Sequence, residues 1–108
     1  MKTKAVLAAL AALAQESRLS VFRLLVQTGP EGLAASKIAE QLDVAPSSLS
    51  FHLKELANAG LIESRQDGRF IFYSANFNTM NDVLSFLTEN CCAGQSCAPT
   101  TTNKSCKP

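Results

Sequence analysis

The chain has 108 residues, 46% of them hydrophobic and 18% charged, with a formal net charge of +1. That is one folded domain's worth of sequence and excludes a disordered chain, while near-neutral charge means any nucleic-acid reading must rest on where charges sit. A single histidine excludes a site needing two imidazoles from one chain, and no apolar run reaches the ~20 residues of a membrane span, so no membrane partner is expected.

The first segment has two readings. Lys2 and Lys4 precede a run from Ala5 to Ala14, and Ala12-Leu13-Ala14 before Gln15 has the grammar of a cleaved secretory signal. The same run predicts an Ala/Leu helix over about Thr3 to Leu13, with Leu7, Leu10 and Ala14 sharing a packed face. A second helix is predicted from about Glu16 to Thr28. Leu19, Phe22 and Val26 form one stripe, Val21 and Leu25 lie beside it, and Gly29-Pro30 ends it. A short helix over Ala35 to Leu42 turns Ile38, Ala39 and Leu42 inward, with Ser36 able to cap its start. After the turn Asp43-Val44-Ala45, Pro46 suits the first turn of a helix running to about Ala59, and Gly60 closes it. Ile62 to Gln66 and Arg69 to Ser74 read as strands, and Asp67-Gly68 between them signals a type I′ hairpin. A last helix is predicted from about Asn78 to Asn90, with Met80, Val83, Leu84 and Leu87 on one stripe that Cys91 extends. From Gly94 onward aliphatic anchors are missing, so the chain divides into a domain over 1–90 and a cysteine-containing tail over 91–108.

Two short helices joined by a tight turn and followed by a ribbon describe a winged helix-turn-helix, mainly α with a β-hairpin wing. On a helical wheel from Pro46 to Asn58, Leu49, Leu53 and Leu56 occupy one arc with His52 at its edge. His52 reads as a hydrogen-bonded helix residue near the core rather than a ligand. Ser47, Phe51 and Lys54 lie opposite, flanked by Ser48, Ser50 and Glu55. Hydroxyls can bond bases or phosphates, lysine can reach phosphate or guanine, and an aromatic can touch a thymine methyl. The competing reading is that the serines are caps and solvated surface; an exposed Phe51, which wants a partner, tips the balance. Arg65 and Arg69 flank the hairpin tip, where a wing would lie on phosphates, or would merely discourage edge pairing. Glu55, Glu63 and Asp67 nearby point to a binder that relies on dimerisation and groove fit more than on bulk charge.

All four cysteines, Cys91, Cys92, Cys97 and Cys106, fall in the last 18 residues. No disulfide could tie that tail to the first 90 residues, so the cluster reads as a soft-metal or redox site of a reduced, intracellular protein. As(III) bonds three thiolates in a pyramid and needs no imidazole, and Cys91-Cys92 with Cys97 offers three sulfurs within seven residues. Idle thiols, a disulfide switch, and zinc held by four cysteines are the alternatives, the last without the paired CxxC spacings zinc favours.

Head and tail together resemble the ArsR/SmtB family of metal- and metalloid-responsive repressors over residues 1–90. Leu13-Ala14-Gln15-Glu16-Ser17-Arg18-Leu19 is similar to the family's opening signature. Ser47-Ser48-Leu49-Ser50-Phe51-His52-Leu53-Lys54-Glu55-Leu56 is similar to its recognition helix, and Ala59-Gly60-Leu61-Ile62 to the exit into the wing. Cleavage after Ala14 would cut through the first of these, which argues against the signal reading. The resemblance implies a cytoplasmic homodimer built from the first and last helices, bound to palindromic double-stranded operator DNA and released by a metalloid. The family's cysteine pair before the recognition helix is missing, since Ala34, Ala35 and Ser36 stand there, and Asp82 has no histidine after it to build a zinc site on the last helix. What matches is the arsenite-sensing subgroup with cysteines just after the last helix: Cys91, Cys92 and Cys97, with Cys106 as substitute because the gap to Cys97 is one residue shorter. The inducer implied is As(III) or Sb(III), with no prosthetic group. The alternatives are a thiol/disulfide redox-sensing repressor and a sensor of another thiophilic ion such as Cd(II) or Pb(II). With no acid/base pair, no phosphate-binding glycine loop and no histidine near the cysteines, an enzyme is not expected.

Overall fold

A computed structural model describes residues 1–94 of the chain. Its elements follow in order as α1 (Thr3–Leu13), α2 (Glu16–Thr28), β1 (Leu33–Ala34), α3 (Ala35–Leu42), α4 (Pro46–Asn58), β2 (Ile62–Asp67), β3 (Phe70–Ala75) and α5 (Phe77–Leu87), with a 3₁₀ turn at Cys91–Gly94. The fold is a winged helix-turn-helix, as the element order predicts.

Helix α1 packs by a different face from the one its leucines suggest. Val6, Ala9 and Ala12 are buried, whereas Leu7, Leu10 and Ala14 are exposed. Small side chains at positions 9 and 12 let α1 approach its neighbours closely, which the bulkier leucines would prevent. The chain then bends by 102° into α2. Gln15 caps α2, its side-chain oxygen accepting from the Arg18 amide at 2.9 Å. The Arg18 guanidinium in turn donates from Nε to the Ala12 carbonyl at 2.7 Å and satisfies a carbonyl at the end of α1. Within α2 the side chains divide: Val21, Phe22 and Leu25 enter the core, while Leu19 stays exposed and Val26 half-buried.

β1 is an element the sequence pattern did not signal. It pairs antiparallel with β3 (Leu33 opposite Tyr73, Ala34 opposite Phe72) and makes the wing part of a three-stranded sheet of order β1-β3-β2. Helix α3 leaves β1 directly, so its cap position is Ala34, with no side-chain cap bond, and Ser36 lies inside the helix rather than capping it. Asp43 ends α3 in the left-handed region (φ 54°, ψ 49°), a conformation aspartate tolerates.

In the hairpin, Asp67 pairs with Phe70, so the two-residue turn is Gly68-Arg69, one position later than Asp67-Gly68. Of the turn residues only Gly68 has a positive φ (67°). That is the type II′ pattern with glycine first, in place of the expected type I′. Helix α5 is capped by Asn76, whose side chain accepts from the Thr79 amide at 3.2 Å. It ends at Leu87 rather than Asn90. The Thr88 hydroxyl donates to the Leu84 carbonyl at 2.8 Å, and Asn90 turns to φ 58°, which a right-handed helix cannot hold. Cys91 therefore lies off the α5 stripe.

One core joins all the helices to the base of the sheet, with Val21, Leu25, Ile38, Leu49, Leu56 and Leu61 at its centre. Among the described residues no charged or polar residue is buried, and no single helix is long and apolar enough to cross a membrane.

Candidate functional site

Helix α4 divides as its wheel predicts. Leu49, Leu53 and Leu56 face the core. Ser47, Ser48, Ser50, Phe51 and Lys54 are all exposed on the other side, Phe51 with 56% of its surface open to solvent. Pro46 at the helix start needs no amide partner and aims this face. His52 departs from expectation: its Nδ1 is buried and has no hydrogen-bond partner among the described residues. Its ring meets that of Phe51 edge-on, with centroids 5.8 Å apart.

The two wing arginines are not equivalent. Arg65 donates from Nη1 to the Glu31 carbonyl at 3.3 Å, and its guanidinium lies 5.1 Å from the centre of the Phe72 ring. It is thereby held along the flank of the wing. Arg69 sits in the turn itself and is exposed. Two neighbours at this tip, Phe70 and Ile71, are not singled out by the sequence pattern, yet they are 57% and 45% exposed. The available signal was position: hairpin residues next to the turn extend past any core.

Helices α1, α2 and α5 enclose an apolar groove of about 500 Å³ lined by Leu10, Leu13, Leu19, Phe22, Val26, Met80, Val83, Leu84 and Leu87. Leu87 is 56% exposed at its margin. Met80 and Leu84 are half-buried, so the apolar surface around the α5 stripe is shared among three helices rather than confined to one.

Just past α5, Cys91 is half-buried and Cys92 exposed, and Cys92 is disulfide-bonded. Asn90, Cys92 and Ala93 all have positive φ between 56° and 58°. Cys97 and Cys106 lie outside the described residues. Among the described residues no three cysteine, histidine or acidic side chains gather as a metal site.

A helix-turn-helix domain family profile matches residues 13–65, from the end of α1 to the middle of β2. The chain is 36% identical over 81 residues to an arsenical resistance operon repressor of Bacillus subtilis, covering 75% of this chain and 73% of that protein. It is 34% identical over 73 residues to YceK, an HTH-type transcriptional regulator of the same organism, covering 68% and 72% respectively. Among solved structures it resembles an ArsR-like transcriptional regulator from Rhodococcus sp. RHA1, with a TM-score of 0.70 and 29% identity over 83% of this chain and 81% of that one. The exposed α4 face, the wing and these relationships lead to one assignment: the chain belongs to the ArsR/SmtB family of winged helix-turn-helix transcriptional regulators and is a DNA-binding protein rather than an enzyme.

Proposed function

We propose that the chain is a cytoplasmic, homodimeric repressor that holds its operator in the metalloid-free state and lets go when As(III) or Sb(III) is bound by the thiolates of Cys91, Cys92 and Cys97, with Cys106 as substitute. Residues 1–90 form the DNA-binding and dimerisation domain, and 91–108 the sensing tail. The observation that carries this reading is position. Three residues separate the vicinal pair Cys91-Cys92 from the end of α5, one wall of the apolar groove. Joining two such grooves across α1 and α5 would take Leu10 and Leu87 out of water, each contributing ~1.5–3 kcal/mol.

Once reduced, every candidate ligand is a thiolate, so the donor set fits a soft trivalent centre. Cys91 and Cys92 on a continuous helix would point ~100° apart. The positive φ at Asn90, Cys92 and Ala93 breaks that geometry and turns the backbone sharply. The similarity to an arsenical resistance repressor supports the same inducer class. A ligand shifts the DNA equilibrium only by its differential affinity for the two states. Drawing a third sulfur toward Cys91-Cys92 reshapes the end of α5, hence the groove contact and the spacing of the two reading heads. In the DNA-bound state Ser47, Ser48, Ser50, Phe51 and Lys54 face the bases while Arg65 and Arg69 lie at phosphates.

The test is a titration of operator-bound protein in reducing buffer with arsenite, antimonite, zinc and cadmium in parallel. Release by arsenite or antimonite at ratios near one per chain is expected, with zinc inert; release by zinc alone, or by none of the four, overturns the reading. The clustering of all four cysteines in the last 18 residues also suits a second reading, a thiol/disulfide redox-sensing repressor. Micromolar peroxide relieving DNA binding while arsenite has no effect would establish it.

A further inference from the structure

We propose that the wing tip is an apolar wedge: Phe70, with Ile71 behind it, enters the DNA minor groove beside the α4 contact and favours a deformable pyrimidine–purine step there.

Charge at the tip argues against a purely electrostatic role. Glu63 and Asp67 on the wing cancel Arg65 and Arg69, so the ribbon carries no net formal charge. Arg65 is held along the flank by the Phe72 ring and the Glu31 carbonyl, where it can still meet a phosphate, so Arg69 is the one cation in the turn itself, two residues from Asp67. One cation beside a carboxylate makes a weak phosphate clamp. Exposed apolar surface is what the tip does present: Phe70 at 57% and Ile71 at 45%.

The strand register sets the shape of that surface. Neighbours along a strand point to opposite faces, so Phe70 shares one face with Phe72 and Ile71 lies on the other. Toward the base, the Ile71 face carries Ile62 and Ala75, both buried in the core. The Phe70 and Phe72 rings lie 6.4 Å apart, so Phe70 is braced from behind. A patch on one face of a ribbon suits a flat partner. Apolar side chains on both faces of its end suit a slot. The wing is continuous with the helix-turn-helix that meets DNA, and the slot beside a major-groove contact is the minor groove. Apolar side chains that enter it unstack a base step, at least cost where pyrimidine precedes purine.

This proposal rests on the operator-binding reading, and the test separates the two. Duplexes selected from a random pool by the parent protein in reducing buffer supply the probe; if none is selected, operator binding itself fails. The selected duplexes are expected to carry TA or CA/TG steps flanking the core on both sides. 2-Aminopurine placed at that step should brighten when the parent binds. Phe70→Ala should bind the same duplex about tenfold more weakly with an unchanged salt slope, lose the flank preference and leave 2-aminopurine dim. Phe70→Leu should behave like the parent. If Phe70→Ala fails to fold, the parent's own 2-aminopurine response decides, and no brightening overturns the proposal. Parent-like affinity and flank preference in a folded Phe70→Ala overturn it too, as does a loss of affinity with a flattened salt slope.

Discussion

At Gly32 the backbone has no room for a side chain. Its φ is +76°, and a Cβ there would run into the Tyr73 carbonyl oxygen and lie 3.3 Å from Ser74 Cβ. This close approach is what lets β1 dock on β3 at Leu33 and Tyr73. Gly68 also has a positive φ, but open space surrounds its missing side chain. Comparing the two separates conformational strain from collision. Gly68→Ala should cost ~1–2 kcal/mol, the penalty of a left-handed residue, whereas Gly32→Ala should cost ~3 kcal/mol or more because β3 must also move. Urea denaturation of the two variants measures this directly, and equal losses would contradict it. His52 poses a different problem: an imidazole at the edge of an apolar stripe looks satisfied until its surroundings are known, and here Nδ1 is buried without a partner among the described residues.

Among the elements, the division of labour between α4 and the wing has a measurable form. Arg69→Ala should weaken binding to all sequences alike and reduce the salt slope by about 1, the share of a single phosphate. Ser50→Ala and Phe51→Ala should instead change which sequences are preferred, each costing ~1–3 kcal/mol against the base pair its side chain reads. A changed preference with an intact salt slope in Arg69→Ala would contradict the assignment. The same scale shows what was legible in the sequence. α1, α2 and α3 fall where periodicity, Gly29-Pro30 and Asp43 place them, and the outward face of α4 follows from its leucines alone. Features set by distant partners were not legible. β1 is two residues long and exists because residues some forty positions later pair with it. The hairpin turn shifts by one residue because strand pairing, not the Asp-Gly dipeptide, settles register. Which face of α1 is inside depends on the helices it meets, and the end of α5 depends on Thr88 and Asn90 competing with the helix. The expected partnership of Cys91 and Cys92 with Cys97 rests on thiol chemistry alone, since Cys97 lies outside the described residues.

In the whole molecule the cysteine pair follows α5, α5 forms one wall of the apolar groove, and the core beneath that groove carries α4. If two chains meet across α1 and α5, the reading heads stand ~34 Å apart, one turn of DNA. Leu10→Asp with Leu87→Asp should then give a monomer by sedimentation equilibrium and abolish operator binding, because each buried carboxylate would cost several kcal/mol; a dimeric double variant would place the interface elsewhere. Everything proposed for the regulator turns on whether the tail cysteines sense and the rest of the chain responds. Operator binding of a serine series with and without arsenite, in reducing buffer, decides it. Cys91→Ser, Cys92→Ser and Cys97→Ser should each bind DNA as the parent does and no longer release it, while Cys106→Ser should release it like the parent. Release by all three of the first variants, or by Cys97→Ser but not Cys106→Ser, would contradict the ligand assignment.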